Sequence, residues 1–494
     1  MKIFKWVIVL FFAALVSSCI FNPPSPENTN NNLETDLHEF LTLLKASGNY
    51  EISEDELEIQ ITQLLNNQEF SGRSAVSGEK TVITGSRKIS VSEHSKSSRS
   101  AAENEESLVN VYVFNTENTE GTEGYVIASN DMRLGIVLAM VDGGSLEDEP
   151  EWWNDIVFDG LGNYIDYTIG LYNDIDDEEI QQILGNPVPM SDNRSVSPGG
   201  GSNGGDSKGF WGKGLTHHFD PNAADLQKAE WSWTEGYEAR GTDSNGNPVT
   251  TNWHQGYPYN LFVCDDKKSA EANDYVTGCW PVAMAQLMAI WGKPAYSKID
   301  PAFNYNWTFM RKDIFNSNTS GVIGVSYLMY ELGRHASSEY KKRVGGNKAS
   351  TFTKNDNIIA CLKKMGYKTP GGFSSYSFSA VKSSIMAGRP VLAVASADDP
   401  TFLGIPLSNS KGHAWLIDGV RKMTYKEHLQ DGRVWNWIDW DFVFCNVGWY
   451  PAKFNAWYAS GIFDFREGLQ SKVPRGVTAD YYQYRREILP NVYY

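Results

Sequence analysis

Alternation of apolar and polar positions marks a series of strands along this chain. Leu108-Val-Asn-Val-Tyr-Val-Phe114 repeats with a period of two. Gly124-Tyr-Val-Ile-Ala-Ser129 and Leu134 to Val141 predict two further strands. Gly388-Arg-Pro-Val-Leu-Ala-Val-Ala395 predicts a buried strand after a turn, and His413 to Val420 and Phe442 to Val447 predict two more. Helical spacing covers 34–67, where Leu37, Phe40, Leu41 and Leu44 precede Leu57, Ile61, Leu64 and Leu65. It also covers 152–184, 282–291, 322–334 and 357–365. Residues 78–105 are Ser-rich and read as a loose segment. In the second half helices come first and strands later, which predicts an α+β fold with a cleft between two subdomains.

Composition narrows the classes. A chain of 494 residues suggests two or three domains. Its net charge of −17 argues against a nucleic-acid partner. Met1 to Lys5 is basic, and Trp6 to Val16 is apolar but short for a membrane span. It ends in Leu15-Val-Ser-Ser-Cys19, which resembles a bacterial lipobox. That resemblance implies cleavage before Cys19 and lipidation of its sulfur, so that the membrane is met only through this anchor. Phe21 to Leu33 has the composition of a tether. Ser195 to Asp206 is rich in Gly and Ser, as flexible linkers are, and no Lys-Ser or Lys-Thr closes a phosphate loop. The sequence has no H-E-x-x-H motif. His217-His218 lacks further ligands, and the acidic runs at 174–179 and Asp265-Asp266 lack calcium-loop order. No cofactor or metal is implied.

The chemistry points to a thiol. Gly278 gives a turn, Cys279 follows it, and Pro281 suits a first helical turn. A cysteine there feels the positive end of the helix dipole, which favours thiolate. Far downstream, His413 enters a strand in Gly412-His-Ala-Trp-Leu-Ile-Asp-Gly419. Cysteine with a remote histidine is the minimum equipment for acyl transfer through a thioester. Cys264, Cys361 and Cys445 read as buried free thiols, although spacing leaves a Cys264–Cys361 or Cys361–Cys445 bridge open. His254 reads as a surface residue. Asp418-Gly419 reads as a turn that ends the strand, with Asp418 on the face opposite His413.

Four segments recur together. They are Trp253-His-Gln-Gly-Tyr-Pro-Tyr-Asn260, Gly278-Cys279 with Ala283-Met-Ala-Gln286, Gly388-Arg-Pro-Val391 with Gly412-His-Ala414 and Asp418-Gly419, and Asn446-Val-Gly-Trp449. In this order, over roughly 245–470, they resemble the streptopain family of bacterial cysteine peptidases, which have a papain-like fold. Gly124 to Asp142 resembles the inhibitory prodomain of the same family. The resemblance implies Cys279 as nucleophile, His413 as general base and acid, Gln255 as oxyanion donor beside the Cys279 N–H, and Asn446 as the residue that orients His413. Trp280 and Trp449 are candidates for the cleft wall or for packing. The chain departs from the family pattern in three places. Val447 stands where the family has a tryptophan, Phe444 where it often has a histidine, and Trp280-Pro-Val282 where smaller residues are usual.

The implied organisation is a signal peptide at 1–18, a tether at 19–35, an inhibitory prodomain at 36–194, a linker at 195–210 and a papain-like catalytic domain at 211–494. The expected function is an exported cysteine endopeptidase made as a zymogen. It would act on proteins or peptides, be restrained by its own prodomain and be held at the outer membrane or cell surface. Two other classes stay open: a non-catalytic surface binding protein on the same fold, and a Cys-His acyltransferase.

Overall fold

A computed structural model describes residues 30–66, 80–91, 109–180, 226–241, 249–344, 348–463 and 487–494, with short breaks inside these stretches. The predicted signal peptide, Cys19, His217-His218 and the Gly/Ser-rich linker lie outside the described residues. The first half contributes α1 (Asn30–Ser47), α2 (Glu54–Asn66), β1 (Thr81–Ile89), β2 (Val111–Asn118), β3 (Glu123–Ser129), β4 (Val137–Val141) and α3 (Glu151–Asp174). The second half opens with β5 (Leu226–Glu238), α4 (Lys267–Glu271), α5 (Cys279–Trp291), α6 (Trp307–Met310) and α7 (Ser320–His335). There follow β6 (Glu339–Lys341), β7 (Ser350–Phe352), α8 (Asn355–Lys364), β8 (Ser374–Ser375), α9 (Phe378–Met386) and β9 (Val391–Ser396). The chain closes with β10 (Thr401–Phe402), β11 (Ile405–Pro406), β12 (Gly412–Leu429), β13 (Val434–Asn446), β14 (Ala456–Ala459) and β15 (Glu487–Leu489). The α+β expectation holds.

Among the described residues, eleven strands form one sheet in the order β1-β2-β3-β4-β14-β13-β12-β9-β15-β8, with β5 also on β12. The two halves of the chain meet at β4 and β14, where Trp457 pairs with Met140. Strand β12 is the spine. Its first part pairs with β9, its later part with β5, and its other edge with β13.

Each face of β12 covers a different core. The period of two sends Trp415 and Ile417 into a core shared with α1, α3 and the N-terminal strands. Ala414 and Leu416 enter a second core, with α5, α7 and α8. Helix α5 lies so deep that Trp280 to Ala289 are buried on every side. Its C-terminus closes on Gly292, whose positive φ lets its N–H reach Met288 O.

Three sequence expectations are corrected. Residues 81–89 are a strand, not a loose segment; the stretch pairs only with β2 and is mostly exposed, which an edge strand tolerates in polar sequence. Strand β12 does not end at Gly419. A bulge falls between Ile417 and Gly419, and the strand continues to Leu429. Helix α3 ends at Asp174; after a two-residue break 177–180 are helical again, and 181–184 lie outside the described residues.

One buried ion pair ties the N-terminal elements together. Arg133 holds the Asp131 carboxylate through Nε at 2.9 Å and Nη2 at 2.5 Å. Its guanidinium also lies over the rings of Tyr50, after α1, and Tyr172, on α3. Arg133→Ala would strand a carboxylate that is 1% exposed. The expected cost is about 3–5 kcal/mol, read as a lower urea midpoint for full-length protein.

Candidate active site

Helix α5 begins without a side-chain cap. Gly278 occupies the N-cap at φ 95°, and a Cβ there would lie 2.8 Å from the Thr351 methyl, so glycine is required. The first amides of the helix therefore stay open to whatever sits at its start. The Cys279 thiol takes that place. It is held by the backbone N–H groups of Ala414, Trp280 and Cys279 itself. These donors favour thiolate, but burial outweighs them and pushes the thiol above its ordinary range. By area Cys279 remains only half-buried, so the crowding around its sulfur does not seal it from solvent.

Ala414 is the residue after His413, so the thiol abuts the strand that carries the imidazole. The ring itself turns the other way. His413 Nε2 contacts Val447 O at 2.7 Å. Trp153 of α3 meets the ring edge-on at 6.3 Å, and Trp415 lies parallel to it at 6.4 Å. Burial lowers its pKa to about 3, against the help of the Val447 carbonyl. In this state burial favours the neutral form of both groups, and no ion pair joins them.

Asn446 requires a correction. Its register partner is Leu416, which places it on the α5 face rather than the His413 face. There its Oδ1 accepts from Gln286 Nε2 at 2.8 Å, and its Nδ2 donates to Thr251 O at 2.9 Å. Asn446 thus joins α5, β13 and the segment before Trp253 instead of orienting the imidazole. Gln286, which the motif contained but sequence reasoning gave no role, is the centre of this junction. It is buried, and its Nε2 also reaches Trp253 O at 3.4 Å.

Gln255 comes beside the nucleophile through its backbone. Its carbonyl accepts from Thr277 N at 2.9 Å and Thr277 Oγ1 at 3.3 Å, two residues before Cys279. Its own side chain is half-exposed. The rest of this motif is an anchoring device. Asn260 Nδ2 donates to Ala270 O and Tyr275 O, and Asn273 Oδ1 accepts from Tyr257 N. A Cβ on Gly256 would sit 2.7 Å from that same Asn273 oxygen. His254 is buried, not on the surface; its ring meets Tyr259 edge-on at 5.0 Å, and burial lowers its pKa to about 3.

The departures from the family pattern also find their places. Val447 is buried and supplies the carbonyl that takes the imidazole. Gly448 has φ 67°, and a Cβ there would lie 2.7 Å from Val282 Cγ1, so Val282 packs directly on this turn. Trp280 is buried, with its Nε1 on Asn355 Oδ1 at 3.2 Å. Trp449 is half-buried against the core shared with the N-terminal half. Phe444 stacks edge-on with Trp457 at 5.3 Å. Asp418 lies within 3.6 Å of Arg240 in the body of β12. Among the described residues Cys264, Cys361 and Cys445 form no disulfide; the last two are buried and the first half-buried. Among the described residues no cluster suits a metal ion, and no helix is long and apolar enough to cross a membrane.

Residues 253–458 match the model of the Peptidase C10 family. The streptopain resemblance drawn from the four motifs is borne out over that span. Among solved structures, a fragment of prointerpain A from Prevotella intermedia is similar at 14% identity and a TM-score of 0.39, covering 78% of this chain and 96% of that one. No curated protein matches the sequence at a significant level. The motifs now have physical content: three glycines that leave no room for a side chain, a glutamine–asparagine junction and an uncapped helix start.

The raised thiol pKa gives a signed expectation. Protonated thiol dominates at neutral pH, so iodoacetamide should label Cys279 of the full-length protein slowly there. The rate should climb about tenfold per pH unit through and beyond the ordinary thiol range near 8.5. Peptide mass mapping after timed alkylation reads it. Rapid labelling at pH 6 would contradict the geometry.

Proposed function

We propose that the protein is a cysteine endopeptidase made as a zymogen, with residues 36–194 as its inhibitory prodomain. The observation that carries this reading is the Cys279 thiol at an uncapped helix start, against the N–H of the residue that follows His413. In the active state the His413 ring leaves Val447 and turns about the strand start at Gly412 toward the sulfur. The imidazole then takes the thiol proton, and imidazolium lowers the thiol pKa. Thiolate attacks a peptide carbonyl. The Cys279 N–H and the Gln255 amide receive the oxyanion, and His413 protonates the leaving amine. Water, deprotonated by His413, releases the acid and restores the thiol. No step calls for a metal or cofactor.

Trp153 supports the inhibitory role. It belongs to the N-terminal half, donates to Tyr458 OH at 2.9 Å and walls the pocket in which the His413 ring rests. While it is in place, the neutral imidazole is favoured on the side away from the thiol. We extend the proposal to location. A lipid on Cys19 would hold the precursor at the outer membrane or cell surface, and cutting the 195–210 linker would free the catalytic domain from the anchor.

Cys279→Ala should abolish hydrolysis of casein and leave the purified precursor at full length. Hydrolysis at the wild-type rate by that variant would refute the nucleophile. Free acid as product distinguishes hydrolysis from acyl transfer, which would give a new amide. Trp153→Ala removes about 3–5 kcal/mol of packing at the imidazole. Precursor conversion, followed on gels, should be faster in that variant; conversion at or below the wild-type rate would count against the restraint.

A further inference from the structure

A row of side chains crosses three strands beside the nucleophile. Ala414 of β12 is paired with Val394 of β9, and Val394 with Glu487 of β15. Register partners share a face, so all three point toward α5. Two strand spacings place Glu487 about 10 Å from Ala414, whose N–H holds the Cys279 sulfur. A second path closes the same distance: Trp280, next to Cys279, donates to Asn355 Oδ1 at 3.2 Å, and Asn355 Nδ2 donates to Glu487 Oε2 at 3.0 Å. The Glu487 carboxylate is thus fixed through one oxygen.

Its other neighbours are mixed: Ser375 of β8 is its register partner on the side away from Val394. Phe373 stands edge-on to Trp280 at 5.6 Å. Val394, Phe373, Asn355, Glu487 and Cys279 are all half-exposed, and register and hydrogen bonds gather them on the α5 side of the sheet. Among the described residues no Lys or Arg pairs with Glu487, and its Oε1 has no hydrogen-bond donor. Two half-exposed apolar side chains between the nucleophile and a carboxylate without a cationic partner fit a long side chain with a cationic tip. The stem lies along Val394 and Phe373 while the charge meets Glu487. Extended peptide advances about 3.3 Å per residue, so the selected residue falls within about three positions of the scissile bond.

We propose that Glu487 is a specificity-determining residue, selecting substrates with Lys or Arg at one position close to the bond that Cys279 attacks. This rests on the peptidase reading above. It differs from a structural role for Glu487 in one respect: a hydrogen bond to Asn355 is served by Gln as well as by Glu, whereas attraction for a cation is not.

The experiment has two arms. In the first, self-processed wild type, Glu487→Gln and Glu487→Lys digest the same peptide library, and cleavage sites are read by mass spectrometry. Wild type should cleave Lys or Arg peptides about tenfold faster than Leu peptides at one position. The ratio should fall near unity in Glu487→Gln and turn toward Glu or Asp in Glu487→Lys. In the second arm, full-length Cys279→Ala, with and without Glu487→Gln, is titrated with fluorescein-labelled Lys and Leu peptides by anisotropy. The Lys peptide should bind more tightly only when Glu487 is present, and added salt should shrink the difference. A wild-type digest without basic enrichment, enrichment unchanged by Glu487→Gln, or equal binding of the two peptides overturns the assignment. Loss of all cleavage overturns the peptidase reading alone, because the binding arm still judges Glu487.

Discussion

The alternation of side chains at the start of β12 is the constraint on which the rest of the structure depends. His413 and Trp415 face the core built with the N-terminal half, and Ala414 and Leu416 face the core that holds α5. One step along the backbone therefore separates the imidazole from the nucleophile's surroundings. A one-residue slip of register would exchange the two faces, so the pairing of β12 with β9 and β13 must be strongly specified. The buried Gln286–Asn446–Thr251 junction contributes to that specification, because a slip would leave amide groups unpaired in an apolar interior.

The opposed shifts of Cys279 and His413 follow from the same arrangement. Each group is desolvated on its own side, which favours neutral thiol and neutral imidazole. An ion pair needs both charges to meet, so that each offsets the burial of the other. Without that meeting, the three amide donors at the helix start do not bring the thiol down to its ordinary range. The helix start alone leaves the thiol raised above its ordinary range; in the mechanism proposed above, the missing part is a rotation of the His413 ring.

Much of this was legible in the residues. The period-two runs at 111–118, 123–129 and 137–141 are strands, and Gly278-Cys279-x-Pro281 opens a helix. Local pattern reports burial and punctuation, and these elements needed nothing more. The unreadable parts depend on partners distant in sequence. Strand β5 carries Trp231 and Trp233 among polar residues, and only its pairing with the far half of β12 gives that alternation meaning. Gly419 read as an end because a bulge and a turn ask for the same residue. The burial of His254 and the turn of Asn446 away from His413 are set by what packs across from them, which no local spacing encodes.

Strand β14 ties the folding of the two halves of the chain together. It has β13 on one edge and β4 on the other, so the N-terminal half completes a sheet rather than resting on a finished surface. Trp153 at the same time fills a pocket walled by Trp415, Tyr458 and Phe463. Breaking the covalent link between the halves leaves both contacts intact, because neither depends on chain continuity. Separation would bare the edge of β14 and an aromatic pocket beside His413 in one step. Exposed strand edges and apolar surface are costly, so the separated catalytic half has reason to refill that pocket. Without Trp153 the His413 ring would lose one aromatic wall of its resting place, which lies on the face away from the thiol.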